Sequence, residues 1–179
     1  MRTLVLGGAR SGKSEHAERL LDAYPVVHYI ATGPPATGDA EWSARVALHR
    51  ARRPPSWVTV ETTDLVAAMR DAAAAEVPVL IEDLPLWTTG VLDRLDAWEA
   101  TVDARVWAQV ERELGAAADA WGAFPHPAVA VSAEVGLGVV PDTKAGRVFR
   151  DMLGTVNRMF ADRADRACLL VAGIPLDLK

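Results

Sequence analysis

The chain has 179 residues, half of them hydrophobic and about a quarter charged, with a formal net charge of −5. That length suits one domain over 1–179 with a sizeable core, and the negative balance argues against nucleic acid or an anionic membrane as the main partner. A single cysteine, Cys168, excludes an internal disulfide and fits a reducing, cytoplasmic setting, while no apolar run approaches the ~20 residues of a membrane span.

A short apolar run at 3–6 predicts the first strand. It leads into Gly7-Gly8-Ala9-Arg10-Ser11-Gly12-Lys13-Ser14 and then a helix with Ala17, Leu20 and Leu21 on one face. A strand at 26–31, a Thr/Gly/Pro-rich loop at 32–38 and a helix at 39–53 stopped by Pro54-Pro55 follow. Next come a strand at 57–60, an alanine-rich helix at 63–75 capped by Thr or Asp, and a buried strand at 77–81 ending in Glu82-Asp83. Trp98, Val102, Val106, Val110, Leu114, Ala117 and Trp121 lie at intervals of three and four, which predicts one long helix over about 96–121. A strand at 128–132 opens into the loop Glu134-Val135-Gly136-Leu137-Gly138. A helix at 143–161, a strand at 167–172 and an edge strand at 174–178 complete the order. Strands alternating with helices predict an α/β fold, a mostly parallel sheet with helices on both faces. Ligands of such sheets gather beyond the carboxyl ends of the strands.

The stretch 7–14 is G-x-x-x-x-G-K-S between a strand and a helix. Its glycines let successive backbone N–H groups converge on phosphate oxygens, Lys13 reaches the β- and γ-phosphates, and the Ser14 hydroxyl ligates magnesium (Mg2+). Glu82, or its neighbour Asp83, stands where a second magnesium-organising acid belongs, opposite Ser14; Glu82 directly follows the strand and is preferred. On a helix at 39–53, Arg45, His49 and Arg53 share one face with Arg52 alongside. Guanidinium groups there suit a triphosphate, and a neutral imidazole can attack an α-phosphorus to expel pyrophosphate. On spacing alone, an exposed basic face with an incidental histidine is the simpler reading. His16, His28 and His126 are weaker candidates, and no Cys/His cluster has zinc spacing. Glu61 is either an acceptor for a ribose or base edge or a solvated loop acid.

Taken together these residues resemble the bifunctional adenosylcobinamide kinase and adenosylcobinamide-phosphate guanylyltransferase family. The similarity runs nearly end to end: residues 7–14, Tyr29-Ile30-Ala31-Thr32, Asp39-x-Glu41 with Arg45, and His49-Arg50-Ala51-Arg52-Arg53-Pro54 with Trp57. It continues through Leu86-Trp87, Glu134-Val135-Gly136-Leu137-Gly138-Val139-Val140-Pro141, Phe149-Arg150-Asp151, Val156-Asn157 and the stretch 171–176. The resemblance implies a P-loop fold related to the RecA core and two reactions. GTP or ATP phosphorylates adenosylcobinamide, and GTP then delivers GMP through a histidine to that phosphate, giving adenosyl-GDP-cobinamide and pyrophosphate. His49 matches the guanylated position. The implied nucleotide contacts are Gly7, Gly8, Ala9, Arg10, Ser11, Gly12, Lys13, Ser14, Ala31, Thr32, Gly33, Arg50, Ala51, Arg52, Arg53, Glu61 and Glu82, with Ser14 and Glu82 holding the metal. A homotrimer is implied too. The chain departs from the family pattern in the 33–38 loop, at Trp42, at Asp83 and Pro85, and at Ala133, where asparagine is usual. The alternatives are a monofunctional small-molecule P-loop kinase and a non-catalytic nucleotide-binding regulator.

Overall fold

The computed structural model describes residues 1–33, 40–99 and 103–179, without the side chains of Glu41, Trp42, Arg45, Leu48 and His49. The elements run β1 (Arg2–Gly7), α1 (Lys13–Arg19), β2 (His28–Ala31), α2 (Ala40–Arg52), β3 (Val58–Glu61), α3 (Leu65–Ala74) and β4 (Val79–Glu82). They continue with α4 (Leu84–Arg94), α5 (Ala104–Ala123), β5 (Ala128–Val131), α6 (Lys144–Arg163), β6 (Arg166–Val171) and β7 (Ile174–Asp177). The strands form one sheet in the order β3-β2-β4-β5-β1-β6-β7. Every pairing is parallel except that of β7, which returns antiparallel along β6 as the expected edge strand.

The uninterrupted apolar runs of β1, β4 and β5 require cover on both faces. Side chains alternate across the sheet, so each run feeds two cores. One gathers Leu4, Leu6, Ile30, Val79, Ile81, Ala128 and Ala130 beneath α3, α4, α5 and α6. The other gathers Val5, Tyr29, Leu80, Val129, Val131, Cys168 and Leu170 with Ala17 of α1, Leu21 just after that helix, Val27 and Trp57. Phe160 of α6 ties the first core together: its ring lies 5.6 Å from that of Trp121 and 6.4 Å, edge-on, from that of Trp87. Cys168 is buried in the second core as a small apolar side chain.

Two expectations for the middle of the chain need correction. The long helix over 96–121 begins only at Ala104, with the Asp103 carboxylate accepting from the Arg105 N–H as its cap. Trp98 lies ahead of that helix, its indole N–H donating to Asp93 at 2.6 Å, and Val102 lies outside the described residues. The sequence reading also placed no helix at 84–94. There Asp83 caps α4 by accepting from the Leu86 N–H at 2.9 Å, and Pro85 sits in the first turn, where its missing N–H is not needed.

The start of β1 is fastened to the start of β6 by a fork. Asp165 accepts from the Arg2 backbone N–H and from Nη2, both at 2.7 Å, and from Nε at 3.2 Å. These bonds hold the Asp165 carboxyl down at about 2, against an ordinary value near 4. A depressed acid contributes stability above its unfolded pKa and loses it as pH falls through its folded one. Asp165→Asn is therefore expected to lower the melting temperature at neutral pH by a few degrees at most, since the pair is exposed. The gap from the unsubstituted chain should close between about pH 4 and 2, as thermal melts across that range would show.

Candidate functional site

The phosphate loop has the backbone its glycines predict. Gly12 adopts φ 88° immediately before α1, and Arg10 is also left-handed at φ 57°. A Cβ on Gly7 would meet Ser11 Oγ at 2.3 Å and the Leu170 carbonyl at 3.1 Å, so a larger residue there must displace the loop. The loop is braced from the far end of the sequence: the Gly173 N–H, in the turn between β6 and β7, donates to the Ser11 carbonyl at 3.0 Å. Lys13 Nζ arcs back to the Gly8 carbonyl at 3.3 Å, which holds its ammonium over the hollow of the loop. Ser11 Oγ is shielded from solvent and has no hydrogen-bond partner among the described residues.

Glu82 ends β4, two strands from the phosphate loop across β5. The Ser14 hydroxyl nevertheless reaches it, donating to Glu82 Oε1 at 2.7 Å, while Oε2 is shielded and has no hydrogen-bond partner among the described residues. Burial first, and the Asp83 carboxylate next, push the Glu82 carboxyl up to about 8. The turn after it is locked by Thr32, 2% exposed, whose hydroxyl donates to the Asp83 carbonyl at 2.7 Å and accepts from the Asp83 N–H at 2.9 Å. Thr32 N–H donates to the Glu82 carbonyl at 3.1 Å. Thr32 thus lies between the ends of β2 and β4 and fixes the acid's position, with Ala31 before it at the end of β2 and Gly33 after it.

His49 and Ala51 lie in α2, and Arg52 ends it. Arg53 falls one residue beyond the helix, which corrects its predicted place on the basic face. Its guanidinium stacks 3.5 Å over the Tyr29 ring and donates to Thr59 Oγ1 at 3.2 Å. Arg52 forks onto Glu18 of α1, Nε to Oε2 and Nη2 to Oε1, both 3.2 Å. Arg50 faces Glu61 at 3.6 Å. The last turn of α2 is thereby joined to α1 and β3, and the residue after it to β2 and β3. Sequence reasoning missed Glu18, a buried acid one turn after Ser14, and gave Tyr29 no role. A negative side chain at a mostly buried helix position was the available sign. The loop 34–39 and the side chains of His49, Arg45, Glu41 and Trp42 lie outside the described residues.

The loop after β5 emerges between the strands that carry Glu82 and the phosphate loop. Ser132 Oγ donates to Asn157 Oδ1 at 2.5 Å, and Asn157 Nδ2 donates to the Ala133 carbonyl at 3.0 Å, so α6 holds the loop's root through buried polar groups. Glu134 Oε1 accepts from the Gly136 N–H at 3.0 Å and closes the next turn.

A family model described as cobinamide kinase / cobinamide phosphate guanyltransferase matches residues 3–178. The chain is similar to the bifunctional adenosylcobalamin biosynthesis protein CobP of Pseudomonas aeruginosa, 41% identical over all of this chain and 98% of the relative. It is also similar to the bifunctional adenosylcobalamin biosynthesis protein CobU of Salmonella typhimurium, 38% identical over the full length of both. Among solved structures, an ATPase from the type III secretion system of pathogenic bacteria superposes with a TM-score of 0.59 at 15% identity. That match covers 95% of this chain and 51% of the other, a likeness of fold alone. The P-loop fold expected from the phosphate loop is the one observed.

Proposed function

From the premise that the chain belongs to the cobinamide kinase / cobinamide phosphate guanyltransferase family, we propose how its residues divide the work of the two reactions. The enzyme phosphorylates adenosylcobinamide and then transfers GMP from GTP to the resulting phosphate. The observation that carries the assignment is the meeting of Ser14 with Glu82 at 2.7 Å beside Lys13, with the second Glu82 oxygen unpartnered among the described residues.

In the kinase step, the acceptor hydroxyl oxygen bonds to the γ-phosphorus, the bridging β–γ bond breaks, and the hydroxyl proton is released. The loop amides of 7–14 and the Lys13 ammonium stabilise charge on the transferring group. Ser14 and Glu82 supply an oxygen-only pair that suits magnesium, and the orphaned, shielded Oε2 supports this fit. Among the described residues no group of three or more His, Cys, Asp or Glu side chains is placed to hold a metal. Bound there, magnesium would neutralise charge on the β- and γ-phosphate oxygens.

In the transfer step, His49 attacks the α-phosphorus of GTP and pyrophosphate departs. The phosphate of the acceptor then displaces the imidazole, so the P–N bond breaks as the new P–O bond forms. Arg50, Ala51, Arg52, Arg53 and Glu61, with Ala31, Thr32 and Gly33, are the proposed nucleotide contacts around it. The resemblance supports a homotrimer, and the single cysteine supports the cytoplasm as its setting; no described helix is long and apolar enough to cross a membrane.

The test is incubation of the purified protein with magnesium and GTP labelled at the α-phosphate. Acid-labile, alkali-stable label is expected on the protein, chased into product by adenosylcobinamide phosphate. Kinase turnover without protein label or labelled product would leave a simple kinase and overturn the transferase assignment.

A further inference from the structure

The loop joining β5 to α6 holds apolar side chains out in solvent at the catalytic end of the sheet. Leu137 is 82% exposed, Val139 95% and Val140 56%. An isolated exposed aliphatic residue is ordinary, whereas three within four positions form a patch that calls for an occupant. The loop is also held in shape. Asn157 and Ser132 fix its root, Glu134 closes its first turn, and Arg147 Nη1 donates to the carbonyls of Pro141 and Asp142 at 2.8 and 2.9 Å. A Cβ on Gly146 would meet Pro141 at 2.8 Å, so the loop's far end lies directly against α6. Val171 and Ile174, 53% and 64% exposed, face each other across the β6–β7 pairing beside the turn that braces the phosphate loop. Val171 is on the sheet side of Leu169, the side α6 covers.

We infer that Leu137, Val139 and Val140, on the acidic loop between Glu134 and Asp142, form the platform on which the corrinoid acceptor lies. This rests on the kinase and guanylyltransferase reading above. Position supports it: the loop leaves β5 between the strand ending in Glu82 and the strand feeding Lys13 and Ser14. The loop therefore starts at the same end of the sheet as Glu82, Lys13 and Ser14. Shape supports it, because a corrin ring is a broad macrocycle with apolar faces and needs an exposed aliphatic floor rather than a narrow slot. Charge supports it also. Residues 133–143 include two acids and no lysine or arginine, and adenosylcobinamide is a cation, its cobalt(III) exceeding the charge of the macrocycle and alkyl ligand by one. The nearest guanidinium described, that of Arg147, meets the loop at its far end, on the Pro141 and Asp142 carbonyls.

The test compares the unsubstituted enzyme with Leu137→Ser/Val139→Ser and with Val139→Lys. All three positions are exposed, so the variants keep the fold. The KM for adenosylcobinamide is expected to rise about tenfold in the serine double variant and at least as much in the lysine variant, which adds like charge. The KM for GTP, the transfer of label from GTP to the protein, and the sedimenting mass are expected to stay unchanged. An unaltered KM for adenosylcobinamide would overturn the inference. So would a drop in sedimenting mass, which would assign the patch to a second copy of the chain. If the unsubstituted enzyme fails to turn over adenosylcobinamide, the functional reading itself falls and the inference goes with it.

Discussion

Lys13→Ala is expected to stop both reactions at once, lowering kinase turnover and GMP transfer by about 10^3-fold each while leaving the melting temperature unchanged. The two effects share one cause, because either step must hold the same triphosphate. In the kinase step the ammonium opposes charge that builds on the transferred γ-group, and in the transfer step it opposes charge on departing pyrophosphate. The structure explains why folding is spared. Lys13 Nζ donates to the Gly8 carbonyl at 3.3 Å, whereas the loop's course is set by Gly7, by Gly12 and by the Gly173-to-Ser11 bond. Steady-state assays of each half-reaction beside a thermal melt decide the matter. Turnover within tenfold of the unsubstituted enzyme would show that the loop amides alone carry the phosphates.

His49→Ala, by contrast, is expected to divide the two activities. GMP transfer should fall below detection, because no second nucleophile shares its place in the sequence, while kinase turnover stays within about threefold. Adenosylcobinamide phosphate should then accumulate as the end product, which chromatography reads directly. The anchoring of α2 makes this separation clean. Arg52 on Glu18 and Arg53 on Tyr29 fix the chain just past His49. Continued formation of adenosyl-GDP-cobinamide by the variant would mean direct displacement on GTP without a covalent enzyme intermediate.

What the sequence showed divides along physical lines. The phosphate loop and Glu82 were legible because their chemistry is local: glycines at fixed spacing, or an acid ending an apolar strand. Cys168 and the edge strand at the end of the sheet followed from apolar patterning in the same way. Helix α4 carried a helical signature as well, with buried Leu84, Trp87, Thr88, Val91 and Leu92 at spacings of three and four. It was obscured by a proline in its first turn and by Thr88-Thr89-Gly90, residues of weak helix propensity whose cost burial offsets. The partners of Arg52 and Arg53 had no local sign. Glu18 lies 34 positions before Arg52, and the pairing exists only because α2 is laid beside α1. Thr32 likewise finds Asp83 51 positions away, because β2 and β4 are neighbours in the sheet.

The brace from Gly173 to Ser11 bears on how the enzyme comes into being. The phosphate loop is among the first parts of these residues to leave the ribosome, yet β1 must wait for β5 and β6 on its two sides, and the loop's support is 162 positions downstream of Ser11. Until those parts are made, the motif lacks the flanking strands and the backbone brace that hold it in the folded protein. The phosphate loop therefore gains its last backbone support only once the β6–β7 hairpin has formed.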